Sequence, residues 1–198
     1  DGEWVAYTLS QLLPEQTVVL DESMSQRTGA RTHLSRFGPS SYFSAGGASL
    51  GWAPGAAIGV KLARPEQFVL SLCGDGVFNF SSPVAALWSQ QKAAAPSLTV
   101  VFNNACYSAS RLPVRGLYPD GAAVRTGNYM ATDIDSPPDY ARIAEACGAV
   151  GVTLREPGDA GGRAGGDEVA GTQGTHAREE ADVLAQAADH VAGVRRHH

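Results

Sequence analysis

The stretch FVLSLCGDGVFNF, Phe68 to Phe80, begins with six residues that suit a strand buried on both faces and then breaks into Gly-Asp-Gly. Glycine tolerates backbone angles closed to other residues and Asp is at home in turns, so a plain turn accounts for the residue types. In a sheet covered on both faces, ligands bind beyond the carboxyl ends of the strands, which gives Asp75 a candidate second role.

Three more segments have the same character: TVVL (Thr17 to Leu20), LTVVF (Leu98 to Phe102) and AVGVTL (Ala149 to Leu154), each short and bounded by turn formers. Helical patterns lie between them. Ser82 and Pro83 form an N-cap and first-turn pair, followed by Val84, Leu87, Trp88 and Gln91 on one face, which makes Trp88 a core residue. Ser136 and Pro137 repeat the device, with Tyr140, Ile143, Ala144 and Cys147 on one face and Gly148 as terminator. Further helices are expected from about Pro54 to Ala63 and over the first dozen residues. Strands alternating with helices imply a three-layer α/β/α domain with a mostly parallel sheet. On that fold Gly74-Asp75-Gly76 and Asn103-Asn104 end neighbouring strands.

The 198 residues suit one domain with a proper core. A net charge of -5 without a dense basic run argues against nucleic acid or an acidic membrane surface as partner. Cys73, Cys106 and Cys147 are odd in number and widely spaced, which points to a reducing cytoplasm. No apolar run reaches the roughly 18 residues of a membrane span. The domain is placed at residues 1–157, and residues 158–198 read as a low-complexity tail rich in Gly, Ala and Arg with a terminal helix from about Arg178 to Val191. From Glu156 to Ala177 the only large aliphatic residue is Val169, so no packed element is expected there. His197 and His198 read as part of a solvated charge cluster rather than a metal site.

The 26 residues from Val77 to Phe102 hold a loop, a covering helix and a return strand, so Asp75 and Asn104 face one crevice. One carboxylate, one amide oxygen and a backbone carbonyl from NNACY (Asn103 to Tyr107) form a sparse set of hard oxygens. Such a set suits magnesium, which completes its octahedron with water and phosphate. A nucleophilic role for the Cys106 thiol is disfavoured because no histidine lies near it in sequence. His33 reads as a solvated loop residue, and Tyr107 as either a pocket or a packing residue.

GDG followed after 26 residues by NN resembles the signature of thiamine diphosphate-dependent enzymes. The segments LPEQTVVLDES, SYFSAGGASLGWAPGAAIGVKLARPEQFVLSLCGDG and AALWSQQKAAAPSLTVVFNNACYSASR resemble the diphosphate-binding domain of benzoylformate decarboxylase and acetolactate synthase-like enzymes, over roughly Glu3 to Pro157. The resemblance implies the thiamine diphosphate-binding fold, with thiamine diphosphate and Mg2+ as cofactors. It implies Asp75, Asn104 and the main-chain carbonyl of Cys106 as metal ligands, and Ser25, Ala48, Leu50, Gly74, Gly76 and Val77 as cofactor contacts. Among these, the N–H groups of Gly76 and Val77 and the Ser25 hydroxyl would meet the diphosphate. Ala48 and Leu50 would lie in the turn that meets the aminopyrimidine, with Leu50 propping the cofactor in its bent form. Val77 stands where a serine is common in the family.

The activity implied is that of a 2-oxo acid decarboxylase of the benzoylformate decarboxylase kind, of which this chain would be the cofactor-diphosphate portion. An acetolactate synthase-type carboligase and a non-catalytic remnant are the alternatives. No catalytic residue is assigned, because the family's activating glutamate lies on a separate pyrimidine-binding domain and Glu22 belongs to the diphosphate-domain pattern. The implied partners are a small 2-oxo acid substrate, that pyrimidine-binding domain and further copies in a homo-oligomer. After LREPGD the Gly-rich run departs from the family, as a shifted reading frame or an eroded gene would make it.

Overall fold

The computed structural model describes residues 2–35, 37–47 and 49–154, together with the backbone of residues 167–172. Six strands, β1 (Thr17–Glu22), β2 (Tyr42–Ser44), β3 (Phe68–Gly74), β4 (Leu98–Phe102), β5 (Ala149–Leu154) and β6 (Asp167–Thr172), form one sheet in the order β2-β1-β3-β4-β6-β5. β2, β1, β3 and β4 pair in parallel, whereas β6 is antiparallel to both its neighbours. β1 has β2 on one side and β3 on the other, so the chain winds away from it in two directions. That reversal opens a crevice at the carboxyl ends of β1 and β3.

The helices are α1 (Gly2–Leu12), α2 (Arg27–Leu34), α3 (Ala53–Ala63), α4 (Asp75–Phe80), α5 (Pro83–Lys92), α6 (Ser108–Leu117), α7 (Ala122–Thr126) and α8 (Tyr140–Ala146). Period-two alternation in the strands divides the core between two faces. Val19, Leu70, Leu72, Leu98 and Val100 pack with Ala6 and Leu9 of α1 and with Ala30 and Leu34 of α2. Val18, Leu20, Val69 and Val101 pack with Ala53 and Ala57 of α3, Leu87 of α5 and Tyr140 of α8. The result is the expected three-layer α/β/α architecture, and the four segments read as buried strands all lie in the sheet.

Several local expectations are corrected. Gly74-Asp75-Gly76 is not a free turn: Gly74 ends β3 with extended angles and Asp75 is already the first residue of α4. In α5 the buried positions are Ala86, Leu87 and Gln90, while Val84 and Gln91 are exposed and Trp88 is 53% exposed. The polar Gln90 lies on the buried side, where its amide donates to the buried Ser97 hydroxyl (2.9 Å). Ser82 precedes α5 in a left-handed conformation (φ 52°) and its side chain caps nothing. Asp139, not Ser136, caps α8, accepting the Arg142 N–H at 3.0 Å. His33 belongs to α2 rather than a loop, with its Nε2 3.4 Å from the Glu3 carboxylate and its ring edge-on to Tyr7.

The sheet also reaches past residue 157. Asp167–Thr172 forms β6, although no packed element was expected between Glu156 and Ala177. A strand between two partners is held by main-chain hydrogen bonds along both edges, and these need no large side chains. The helix expected from Arg178 to Val191 and the terminal histidines lie outside the described residues.

Leu70, fully buried in the central strand, and Trp88 give opposite expectations. Leu70→Ala should lower the unfolding free energy by about 2–5 kcal/mol in a urea titration, with the transition slope unchanged. Trp88→Ala should stay within about 0.5 kcal/mol of the parent.

Candidate cofactor and metal site

The site is built on the carboxyl ends of β1, β3 and β4. At the end of β3, Asp75 is 3% exposed. Its Oδ1 accepts the Gly76 N–H (2.8 Å) and its Oδ2 accepts the Cys106 N–H (3.2 Å). Burial pushes the Asp75 carboxyl above the usual range, and the backbone N–H groups of Gly76, Cys106 and Ala105 pull it part of the way back.

Beyond β4 the chain makes a tight loop. The Asn103 side chain accepts the Ala105 N–H at 3.1 Å, and Ala105 adopts φ 53°. That conformation turns the Cys106 N–H onto Asp75. Tyr107 donates its N–H to the Thr132 carbonyl (2.8 Å), and Ser108 donates its N–H to the Cys106 carbonyl (2.9 Å). One lone pair on the Cys106 oxygen is still open. Asn104 is exposed and its Nδ2 donates to the Ser108 hydroxyl (3.1 Å), so Oδ1 is the atom it can offer a cation. The Tyr107 ring closes over Gly76: a Cβ there would lie 2.5 Å from Tyr107 Cε1, so any larger residue would have to displace the ring.

At the end of β1 two buried carboxylates point to different loops. Asp21 Oδ1 accepts both the N–H (2.9 Å) and the hydroxyl (2.6 Å) of Ser23, and Oδ2 accepts the Tyr42 hydroxyl (2.7 Å). Burial and that bond raise the Tyr42 phenol far above its ordinary range. The bonds to Ser23 fix the turn in which Met24 takes φ 52° and Ser25 follows. Glu22 accepts the N–H groups of Gly51 (3.0 Å) and Ala53 (2.8 Å).

These elements enclose a cleft of about 300 Å³. Asp75, Asn104 and Cys106 line it, as do Ser25, Leu50, Gly74, Gly76 and Val77. Ala48 lies outside the described residues. Tyr107 lines the cleft too and stacks edge-on with Phe80. Met24 and the first turn of α6, Ser108 to Ser110, are lining residues that the sequence reading missed. Their signal was slight: a lone methionine in DESMS and a serine pair in YSAS look like any loop.

The donor set consists of one carboxylate, one amide oxygen and main-chain carbonyls. Among the described residues no cluster of three or more His, Cys, Asp or Glu exists to favour a softer ion. Oxygen donors of this number fit a magnesium ion that shares its shell with phosphate oxygens. Leu50, Met24 and Val77 supply an apolar wall for the organic part of such a ligand.

No described helix is long and apolar enough to cross a membrane. Comparison with known proteins places these features in a family context. Benzoylformate decarboxylase from Pseudomonas aeruginosa is 31% identical over 109 residues, which is 55% of this chain and 20% of that protein. An acetolactate synthase large subunit from Haemophilus influenzae is 27% identical over 154 residues, 77% of this chain and 25% of the relative. Among solved structures, the thiamine diphosphate-dependent 4-hydroxybenzoylformate decarboxylase of Rhodococcus jostii superposes with a TM-score of 0.65 at 26% identity, covering 75% of this chain and 26% of that one. The chain thus spans about a quarter or less of the length of these relatives. The family model described as "Thiamine pyrophosphate enzyme, C-terminal TPP binding domain" matches residues 22–165, and the chain belongs to that family.

Proposed function

We propose that this chain is the magnesium- and diphosphate-binding portion of a 2-oxo acid decarboxylase. The observation that carries the reading is the convergence, in one cleft, of the Asp75 carboxylate, Asn104 and the Cys106 carbonyl with the amides that follow Asp75. Asp75, Asn104 and Cys106 O would hold the cation. Gly74, Gly76, Val77 and Ser25 would line the diphosphate, and Leu50, with Ala48 before it, the ring system. A cation held by Asp75 would share that carboxylate with the Gly76 and Cys106 N–H groups. When bound, the cofactor supplies the electron sink for carbanion chemistry at the substrate carbonyl. The residues of this chain bind it, orient it and keep water from its apolar side.

The benzoylformate decarboxylase likeness supports decarboxylation of an aryl 2-oxo acid. The acetolactate synthase match extends over more of the chain, which supports a carboligase as the second reading. The pyrimidine-binding domain and further copies of the chain are the proposed macromolecular partners. Leu112, Leu117, Tyr118 and Met130, all exposed on one stretch of chain, suit such contacts. Three cysteines without a disulfide among them support a cytoplasmic setting.

Magnesium and thiamine diphosphate should bind together, since the diphosphate charge needs the ion and the ion needs phosphate oxygens. Calorimetry with each alone and with both tests this; equal cofactor affinity with and without magnesium would sink the metal assignment. Asp75→Ala should abolish the coupling, whereas Cys106→Ala, which keeps the carbonyl, should change it by less than about threefold, around half of one hydrogen bond's worth.

Loaded with both cofactors, the isolated chain should release no carbon dioxide from benzoylformate, pyruvate or branched 2-oxo acids above a protein-free control. The proton transfer assigned to the other domain is typically worth about 100- to 10,000-fold. Steady turnover by the chain alone would refute the two-domain reading.

A further inference from the structure

Glu22 has no place in the ligand set above, yet it is 1% exposed and uses both carboxylate oxygens. Oε1 accepts the Gly51 N–H and Oε2 the Ala53 N–H, across 29 and 31 residues of sequence. Gly51 is held from its other side as well. It adopts φ +97°, and a Cβ there would lie 2.7 Å from the main-chain carbon and oxygen of Phe80 at the end of α4. The turn from Leu50 to Ala53 is therefore gripped between the end of β1 and the end of α4. Leu50 leaves that turn directly into the cleft wall.

We infer that Glu22 is a positioning residue for the ring-binding side of the cleft. Its carboxylate fixes the turn that presents Leu50, and so governs the grip on the organic part of a diphosphate ester while leaving the diphosphate end alone. The inference rests on the cofactor reading given above. The two ends of the cleft are separable in the structure: Asp75, Gly76 and Cys106 bond to one another, and none of them bonds to Glu22. A carboxylate suits the task because both of its oxygens only accept. A glutamine would turn an NH2 group toward one of the two N–H donors and leave that buried amide unpaired.

The test compares the parent chain with Glu22→Gln and Glu22→Asp. In the ligand-free proteins, hydrogen exchange read residue by residue should show faster exchange at the Gly51 and Ala53 amides of Glu22→Gln, with the amides of β3 and β4 unchanged. In calorimetry with magnesium present, Glu22→Gln should weaken thiamine diphosphate by about tenfold, the loss expected for one buried hydrogen bond to a charged group. Inorganic diphosphate should stay within about twofold of the parent value. Glu22→Asp keeps the charge but is one methylene short, and should fall between; it carries the test if the glutamine variant does not fold. Equal losses for the two ligands would mean general loosening and would overturn the inference, as would unchanged exchange at Gly51 and Ala53. If the parent bound neither ligand, the cofactor reading would fall, and the exchange data would still decide whether Glu22 holds the turn.

Discussion

The bond from the Cys106 N–H to Asp75 ties the end of β4 to the end of β3, and most of the site's geometry follows from it. A carboxylate as buried as Asp75 is costly unless its oxygens are satisfied. Satisfying it requires the Cys106 amide to point back at β3, which the left-handed turn at Ala105 achieves and the Asn103 side chain stabilises. Tyr107, next in sequence, lies over Gly76, where a Cβ would have to displace its ring. The two readings of Asp75, turn former and metal ligand, therefore do not compete. The acid that closes the structure is also the acid that the structure presents to the cleft.

Most of what was legible in the sequence is buried on both faces: β1, β3 and β4 show as apolar runs because strands covered by helices leave no polar face to interrupt them. β5, an edge strand antiparallel to β6 and only partly buried, shows through its β-branched residues instead. β2 is three residues long and half exposed, and β6 rests on main-chain pairing, so neither leaves a side-chain pattern. α6 buries no residue and carries Pro113 inside it, and an internal proline reads in sequence as a helix breaker. In α5 only Leu87 of the apolar stripe is buried: Val84 and Trp88 face solvent, and the polar Gln90, bonded to Ser97, faces inward.

The site divides along the same physical line. Asp75 and Asn104, both in the cleft lining, stood out in the sequence because such sheets open their crevices just past apolar runs, where a carboxylate and an amide are conspicuous. Asp21 and Glu22 stand at the end of a run too, but what they do depends on Tyr42, Gly51 and Ala53, and the hydrogen bonds to those residues span 21 to 31 positions. No local pattern records a bond of that range. Their work became visible only once the strand and the loops were placed beside each other.

The two acids also explain why one strand end can organise two walls of a cleft. Adjacent residues on a strand point to opposite faces, so Asp21 and Glu22 reach in different directions from a single point. Asp21 holds the Ser23 turn and Tyr42 of the neighbouring strand, and Glu22 holds the entry to α3. β1 is also where the winding of the sheet reverses, so the crevice made by topology and the loops held by charge coincide. The other wall is built differently. α6 is kept by contacts near the surface, Arg111 to Asp133 (2.6 Å) and Arg115 to the Tyr129 hydroxyl (3.1 Å), with no buried side chain of its own. The cleft thus has one wall set by buried charges and another set by contacts nearer the surface. The first carries Asp75, Gly76 and Leu50, and its buried hydrogen bonds leave it little conformational freedom.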